Sequence, residues 1–109
     1  MADRWALVYN DNAKRDLRLL DKSVRMEVAK AIEKVRHNPL PRSEGGYGNA
    51  LGNKNAIYLT GCYKIKLLRV GIRVIYTLNR TVHGMVVIII GVRADEAVYR
   101  EAYRRLKNI

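Results

Sequence analysis

The stretch CYKIKLLRVGIRVIYTL, residues 62–78, decides the fold of this chain. Apolar and polar side chains alternate along it with a period of two, first over 62–68 and again over 72–78. This is the pattern of two half-buried β-strands. Val70-Gly71 lies between the two segments and offers a two-residue turn. The sequence therefore predicts an antiparallel β-hairpin at the centre of the domain.

The predicted turn sets the register of this hairpin. It places residue 67 opposite residue 74, so that the apolar faces of both strands coincide, whereas a one-residue slip would mix cations into the core. The opposite face then carries Lys64, Lys66 and Arg73, with Arg73 at diagonal distance from Lys66. We therefore expect three cations to converge on one face of the sheet.

The N-terminal part predicts a strand and two helices. Arg4–Tyr9 is rich in aromatic and aliphatic residues and is predicted to be a strand, and Asn10–Asn12 then offers capping side chains. A second helix starts at Asp21 or Ser23 and ends before Asn38-Pro39, since the residue before a proline avoids the helical region. With almost no loop between them, the two helices should form an antiparallel hairpin. Their apolar stripes are Ala13, Leu17 and Leu20, then Val24, Val28, Ile32 and Val35.

The remaining segments complete an α+β domain. Residues 39–61 are rich in glycine and proline and are predicted to be a long loop. Met85–Ile90 is apolar without alternation, which indicates a central strand covered on both faces. Asp95 is predicted to cap a last helix with the stripe Val98, Ala102, Leu106 and Ile109. Residues 1–109 are thus expected to form a single domain of order β-α-α-β-β-β-α. Its mainly antiparallel four-stranded sheet would be packed by the helix hairpin and the C-terminal helix.

Composition points to a polyanionic partner. The chain has 21 Lys and Arg against 10 Asp and Glu, a formal net charge of +11. Nucleic acid is the first expectation, followed by an acidic protein or an anionic membrane surface. The longest apolar run, Met85–Val92, is too short to span a bilayer, and no signal peptide is recognisable, so we expect a cytoplasmic protein. Cys62 is the single cysteine, which leaves no intrachain disulfide and no Cys-rich zinc site.

Acidic residues are absent from Gly45 to Ala94, whereas seven Lys and Arg fall in that stretch. A hard metal ion or a carboxylate base has no candidate there. Lys64 and Lys66 have the spacing of an ordinary solvated strand face. Without nearby acids, however, crowded cations repel each other, attract an anion and lower the pKa of a lysine. We therefore expect this stretch to carry an anion site.

Few other residues are candidates for chemistry. Arg93 lies at a strand exit and Tyr99 one turn into the last helix, where a partly buried structural tyrosine is equally compatible with the pattern. His37 and His83 lie far apart in solvated positions, and Cys62 lacks a plausible His-Asp set. The sequence contains no recognisable catalytic-triad, zinc-ligand or nucleotide-binding pattern.

Three segments resemble the RelE toxins of bacterial toxin–antitoxin pairs: CYKIKL (62–67), RVGIRVIY (69–76) and GVRADEAVY (91–99). The resemblance extends over nearly the whole chain. It implies a metal-independent ribonuclease, without a cofactor, that enters the ribosomal A site beside 16S rRNA and cleaves messenger RNA. It also implies a RelB-like antitoxin as partner, and operator DNA only as a ligand of the toxin–antitoxin complex. No membrane partner is expected.

The resemblance also implies roles for five residues. In RelE toxins the 2′-hydroxyl of the RNA attacks the adjacent phosphate and leaves a cyclic 2′,3′-phosphate (or 3′-phosphate) and a 5′-hydroxyl. By position, Lys66 is similar to the general base and Lys64 to the phosphate stabiliser. Arg73 would stabilise the developing charge, Arg93 would assist the leaving 5′-oxygen, mainly by its charge, and Tyr99 would stack on or orient a nucleotide.

Two further cations, Lys54 and Arg69, are predicted to contact RNA. Lys54 is the nearest cation to a position after Leu51 where some RelE relatives carry arginine. Two other functions are compatible with the sequence: a ParE-like toxin that inhibits DNA gyrase without cleaving RNA, and a non-catalytic RNA-binding domain. The full set of Lys64, Lys66, Arg73, Arg93 and Tyr99 favours the nuclease.

Overall fold

In the computed structural model the protein is a mixed β-sheet with helices packed on both faces. The structure describes residues 4–92 and 94–108. The predicted α+β class and the order of its long elements are confirmed. No helix of the described residues is long and apolar enough to cross a membrane. The elements are β1 (Ala6–Tyr9), α1 (Asp11–Arg18), α2 (Lys22–Val35), β2 (Asn49–Ala50), β3 (Asn53–Lys54), β4 (Ile57–Tyr58), β5 (Cys62–Leu67), β6 (Ile72–Asn79), β7 (Gly84–Gly91) and α3 (Asp95–Lys107).

The sheet has the strand order β1-β7-β6-β5-β2. Its four long strands are the predicted ones; β1 runs parallel to β7 and the other pairs are antiparallel. The predicted loop 39–61 contributes the two-residue edge strand β2 and the separate hairpin β3–β4. Asn55 and Ala56, both with positive φ (53° and 63°), form the turn of that hairpin. Two-residue strands are too short to show alternation, so they could not be predicted from the sequence pattern.

The register of β5 and β6 differs from the prediction by two residues. Leu67 pairs with Ile72, and the connection is a 3-10 turn over Leu68–Val70 followed by Gly71 at φ 67°. The predicted two-residue turn would need positive φ at Val70, which a β-branched residue adopts only with strain. Because the shift is even, each side chain keeps its predicted face.

Two apolar clusters hold the helices on the two faces of the sheet. The first lies under α1 and α2, and the second under α3. A bulge where Ile75 pairs with Ile89 and Tyr76 with Val87 turns both Ile88 and Ile89 toward α3. Strand β7 shows no alternation because apolar clusters cover both of its faces, as predicted. The first cluster contains Trp5, Ala13, Val28, Ile32, Val35, Ile72, Val74, Tyr76, Met85, Val87 and Ile90. The second contains Ile57, Leu59, Cys62, Ile75, Ile88, Ile89, Val98 and Ala102.

Two charged side chains from the helices supply hydrogen-bond partners to the backbone at the end of β7. Strand β1 pairs with β7 only as far as Val87, so the last residues of β7 have no strand on that side. The Ile90 N–H donates to Asp16 Oδ2 (3.0 Å), and Arg105 Nη1 donates to the Ile88 carbonyl (2.9 Å). Arg105 also pairs with Asp16 (2.7 Å). This largely buried pair joins α1, α3 and β7, and so fixes the helix that carries Tyr99.

Candidate active site

Strands β5 and β6 present their cations on the face that α3 covers. Lys66 and Arg73 are directly opposite each other in the ladder, and Lys64 lies one pleat along β5 on the same face. The neighbouring side chains Tyr63, Ile65, Val74 and Tyr76 pack against the other cluster. The structure thus brings three of the predicted site residues together, with Lys66 and Arg73 closer than the predicted diagonal placement.

A carboxylate lies between two of these cations. Lys66 Nζ donates to Asp95 Oδ2 (2.8 Å), and Arg73 Nε donates to Asp95 Oδ1 (2.6 Å). Arg73 Nη1 also donates to the Gly71 carbonyl (3.1 Å), which orients the guanidinium. The hydrogen bonds from Lys66 and Arg73 hold the pKa of Asp95 below its ordinary value. The expectation of a site without carboxylates is therefore wrong, because Asp95 comes from a different part of the chain.

The position of Asp95 also corrects a prediction about α3. Ala94 is the N-cap residue, and no side chain caps the helix there. Asp95 is the first helical residue, and its carboxylate points to the sheet instead of to the helix N–H groups. Two charge-assisted hydrogen bonds compete with a single capping bond, which explains why the side chain takes this direction.

Tyr99 borders the same cations. Lys64 Nζ lies 3.4 Å from Tyr99 Oη and 6.0 Å from the ring centroid. The tyrosine is half-buried beside the second apolar cluster. Its ring is therefore held by packing while one edge faces the lysine.

A groove of about 510 Å³ opens beside this cluster. Tyr99 and Asp95 form the boundary that the groove shares with the cations. The predicted RNA contact Lys54 lines the groove, on strand β3. The other lining residues are Leu51, Gly52, Asn53, Asn55, Ile57, Leu59 and Glu96. Apolar and amide groups line most of the groove, with Lys54 as its cation and Asp95 and Glu96 as its acids, and Tyr99 offers a ring on which a base can stack.

The structure places other predicted residues elsewhere. Arg69, predicted to contact RNA, pairs with Glu27 of α2, which packs on the opposite face of the sheet. Arg93, like Ile109 of the predicted α3 stripe, lies outside the described residues, so its predicted role stays a prediction. His83 stacks on Trp5 at 4.0 Å, in agreement with a structural role.

Cys62 and the acidic residues offer no second reactive centre. Burial raises the pKa of the Cys62 thiol to about 11, so the thiol is not nucleophilic near neutral pH. Over residues 4–92 and 94–108, no three His, Cys, Asp or Glu side chains gather into a group that could hold a metal ion. The chemistry available at the site is therefore that of lysine, arginine, tyrosine and one carboxylate.

The arrangement is suited to holding an anion that has two oxygens. The two Asp95 oxygens each accept one charged donor, from Lys66 and from Arg73, in the geometry that a phosphodiester's two non-bridging oxygens also offer. With Lys64 and Tyr99 adjacent, the next group along a bound strand would meet a cation and an aromatic ring.

Comparison with solved structures shows similarity to RelE toxins. The chain is 27% identical to the isolated E. coli RelE toxin, with a TM-score of 0.67, covering 94% of this chain and 98% of that one. It is 28% identical to a mutant E. coli RelE toxin in complex with an antitoxin RelBc peptide, with a TM-score of 0.67, covering 94% and 95%. The toxin–antitoxin complex RelBE2 of Mycobacterium tuberculosis shares the fold (TM-score 0.67, 19% identity, covering 87% and 98%). No protein-family model and no curated protein matched the chain.

Fold and comparisons together define a class: this protein is a toxin of the toxin–antitoxin type. Within that class the chain is similar to the RelE toxins in fold and in sequence, which confirms the resemblance found in its sequence.

Proposed function

We propose that this toxin is a ribosome-dependent endoribonuclease that cleaves messenger RNA in the A site. The observation that carries the proposal is the convergence of Lys66 and Arg73 on one pair of oxygens, with Lys64 and Tyr99 beside them. Phosphoryl transfer needs positioning and charge stabilisation more than covalent participation of the protein. A cluster of fixed cations supplies both.

The proposed reaction balances within the RNA itself. The 2′-oxygen attacks the adjacent phosphorus, the P–O5′ bond breaks, and a cyclic 2′,3′-phosphate and a 5′-hydroxyl result. Lys66 in its neutral form would accept the 2′-hydroxyl proton, and Arg73 would hold the phosphoryl oxygens as charge develops. Lys64 would stabilise the phosphate, and Arg93 would stabilise the leaving oxygen by its charge until that oxygen takes up a proton.

Tyr99 and the groove would orient the nucleotides around the scissile phosphate. Tyr99 offers a ring at the boundary between the cations and the groove, and Lys54 lies along the groove wall. Base–aromatic stacking tolerates any base and contributes about 1–3 kcal/mol in single-stranded complexes. These contacts support a single-stranded codon as substrate.

We infer a cognate RelB-like antitoxin that neutralises the toxin in the cytoplasm. The similar E. coli toxin is found with an antitoxin RelBc peptide, and the net charge of +11 suits both an acidic protein and ribosomal RNA. Operator DNA would be bound only by the toxin–antitoxin complex.

Cleavage mapping tests this proposal. Purified toxin is added to a translation reaction, and the message ends are located to single-nucleotide precision. We expect cuts within A-site codons, reduced about 100-fold or more by Lys66→Ala or Arg73→Ala. Lys30→Ala, which removes an exposed α2 lysine with the same charge change, should keep wild-type activity. Intact message together with inhibited DNA supercoiling would instead establish the ParE-like function.

A further inference from the structure

We propose that Asp95 is an internal counter-ion that occupies the phosphate position of the site and must leave when RNA binds. Asp95 would thereby set the affinity of the toxin for RNA. This inference rests on the proposed function, because it takes the partner of Lys66 and Arg73 to be a phosphodiester.

The Asp95 carboxylate makes the contacts that a bound phosphate would make with Lys66 and Arg73. Each carboxylate oxygen accepts a different donor, at 2.8 Å from Lys66 and 2.6 Å from Arg73. Neither oxygen caps α3, although the residue stands at the start of that helix. The carboxylate thus engages both Arg73, which the proposed reaction needs for the phosphoryl oxygens, and Lys66, its proposed base.

The site is open enough for exchange. The side chains of Lys66, Arg73 and Asp95 are 31%, 20% and 38% exposed to solvent. The side chains of Asp16 and Arg105, by contrast, are only 16% and 13% exposed, and this pair joins the helices to the end of β7. An incoming phosphate can therefore reach Lys66 and Arg73 from solvent, and Asp95 can turn into the adjoining groove that it already lines.

An internal competitor lowers affinity by a definite factor. The apparent dissociation constant equals the intrinsic one divided by the fraction of molecules in which Lys66 and Arg73 are free. An exposed ion pair changes an equilibrium constant by about two- to threefold in the middle of its range and by up to about fivefold, and Asp95 makes two such pairs. Removing the charge of Asp95 should therefore tighten phosphate binding by about fivefold or more beyond the general effect of one negative charge.

Glu96 provides a control with the same charge change. It is the next residue along α3, it lines the same groove, and it pairs with Arg100 (3.3 Å). Asp95→Asn and Glu96→Gln each remove one negative charge at neighbouring positions. Only Asp95→Asn frees Lys66 and Arg73, so the difference between the two variants isolates the counter-ion effect.

The probe is a short single-stranded RNA carrying 2′-O-methyl groups, which cannot be cleaved by 2′-hydroxyl attack. Calorimetric titrations at fixed ionic strength compare wild type, Asp95→Asn and Glu96→Gln, each shown to be folded by circular dichroism. We expect Asp95→Asn to bind at least about fivefold more tightly than Glu96→Gln. In the wild type, RNA should also shift the Asp95 carboxyl ¹³C NMR signal. Equal affinities for the two variants, or no binding by any of the three proteins, would overturn the proposal.

Failure of this inference is distinguishable from failure of the proposed function. If the wild type cleaves message but Asp95→Asn and Glu96→Gln bind the probe equally well, the counter-ion proposal is refuted and the nuclease proposal stands. Tighter binding by Asp95→Asn with no cleavage by any protein would establish the counter-ion at an RNA-binding site without nuclease activity.

Discussion

Replacing Arg105 by alanine should destabilise the fold by about 3 kcal/mol. Arg105 donates to both oxygens of Asp16 (2.7 and 3.2 Å) and to the Ile88 carbonyl (2.9 Å). Its removal leaves a largely buried carboxylate without its cation and a strand carbonyl without its donor. Breaking a buried pair by removing one partner costs about 3–5 kcal/mol, and the remaining exposure of 13% and 16% favours the lower end.

Urea unfolding followed by circular dichroism measures this loss. The matched control is Arg100→Ala, since Arg100 pairs with Glu96 in the same helix (3.3 Å) and its side chain is 63% exposed. Exposed pairs contribute about 0.2–1 kcal/mol, so the control should lose no more than that. Similar losses for the two variants, with unchanged dependence on urea, would refute the view that this pair secures α1 and α3 to the end of β7.

Three further predictions concern titrating and reactive groups. Because burial raises the pKa of Cys62 to about 11, iodoacetamide at pH 8 should label the thiol only in unfolded protein, and rapid native labelling measured by mass spectrometry would contradict its burial. Hydrogen bonds from Arg104, with a smaller contribution from Arg105, lower the pKa of Glu101 from its ordinary value of 4.5 to about 2. The resulting stability is complete above pH 4.5 and is lost as pH falls toward 2. The unfolding free energy of Glu101→Gln should consequently fall less steeply than that of the wild type over this window, and parallel curves would exclude the effect. If Lys66 is the general base, single-turnover cleavage should be lost in Lys66→Arg, because a guanidinium keeps the positive charge but does not give up its proton in proteins; a wild-type rate in that variant would remove the role.

Much of the fold was predictable because long elements leave periodic patterns. The alternation over 62–78 identified β5 and β6 and assigned each side chain to its face, even though the predicted pairing register was off by two residues. The error arose from local geometry: the conformation of Val70 decides between a two-residue turn and the observed four-residue connection. The hairpin Asn53–Tyr58 was not predictable, since its strands have two residues each and depend on packing against α3.

Only part of the candidate site could be predicted from the sequence. Period-two spacing was sufficient to place Lys64, Lys66 and Arg73 on one face, whereas the role of Tyr99 beside them was implied only by the resemblance to RelE toxins. The pairing of Lys66 with Asp95 joins residues 29 positions apart, so no local pattern signals it. A count of acids along the chain gave the wrong expectation, because the folded site takes its carboxylate from the start of α3.

The chemistry of the cut ends tests the central claim most directly. A message carrying one 2′-deoxynucleotide on the 5′ side of the mapped cut is compared with the all-ribose message on ribosomes stalled at that codon, and the products are analysed by mass spectrometry. Attack by the 2′-hydroxyl, supported by lysine and arginine, predicts a cyclic 2′,3′-phosphate (or 3′-phosphate) with a 5′-hydroxyl from the ribose message. It predicts no cut at the deoxy position. Cleavage at the deoxy position, or products with a 5′-phosphate, would contradict the account.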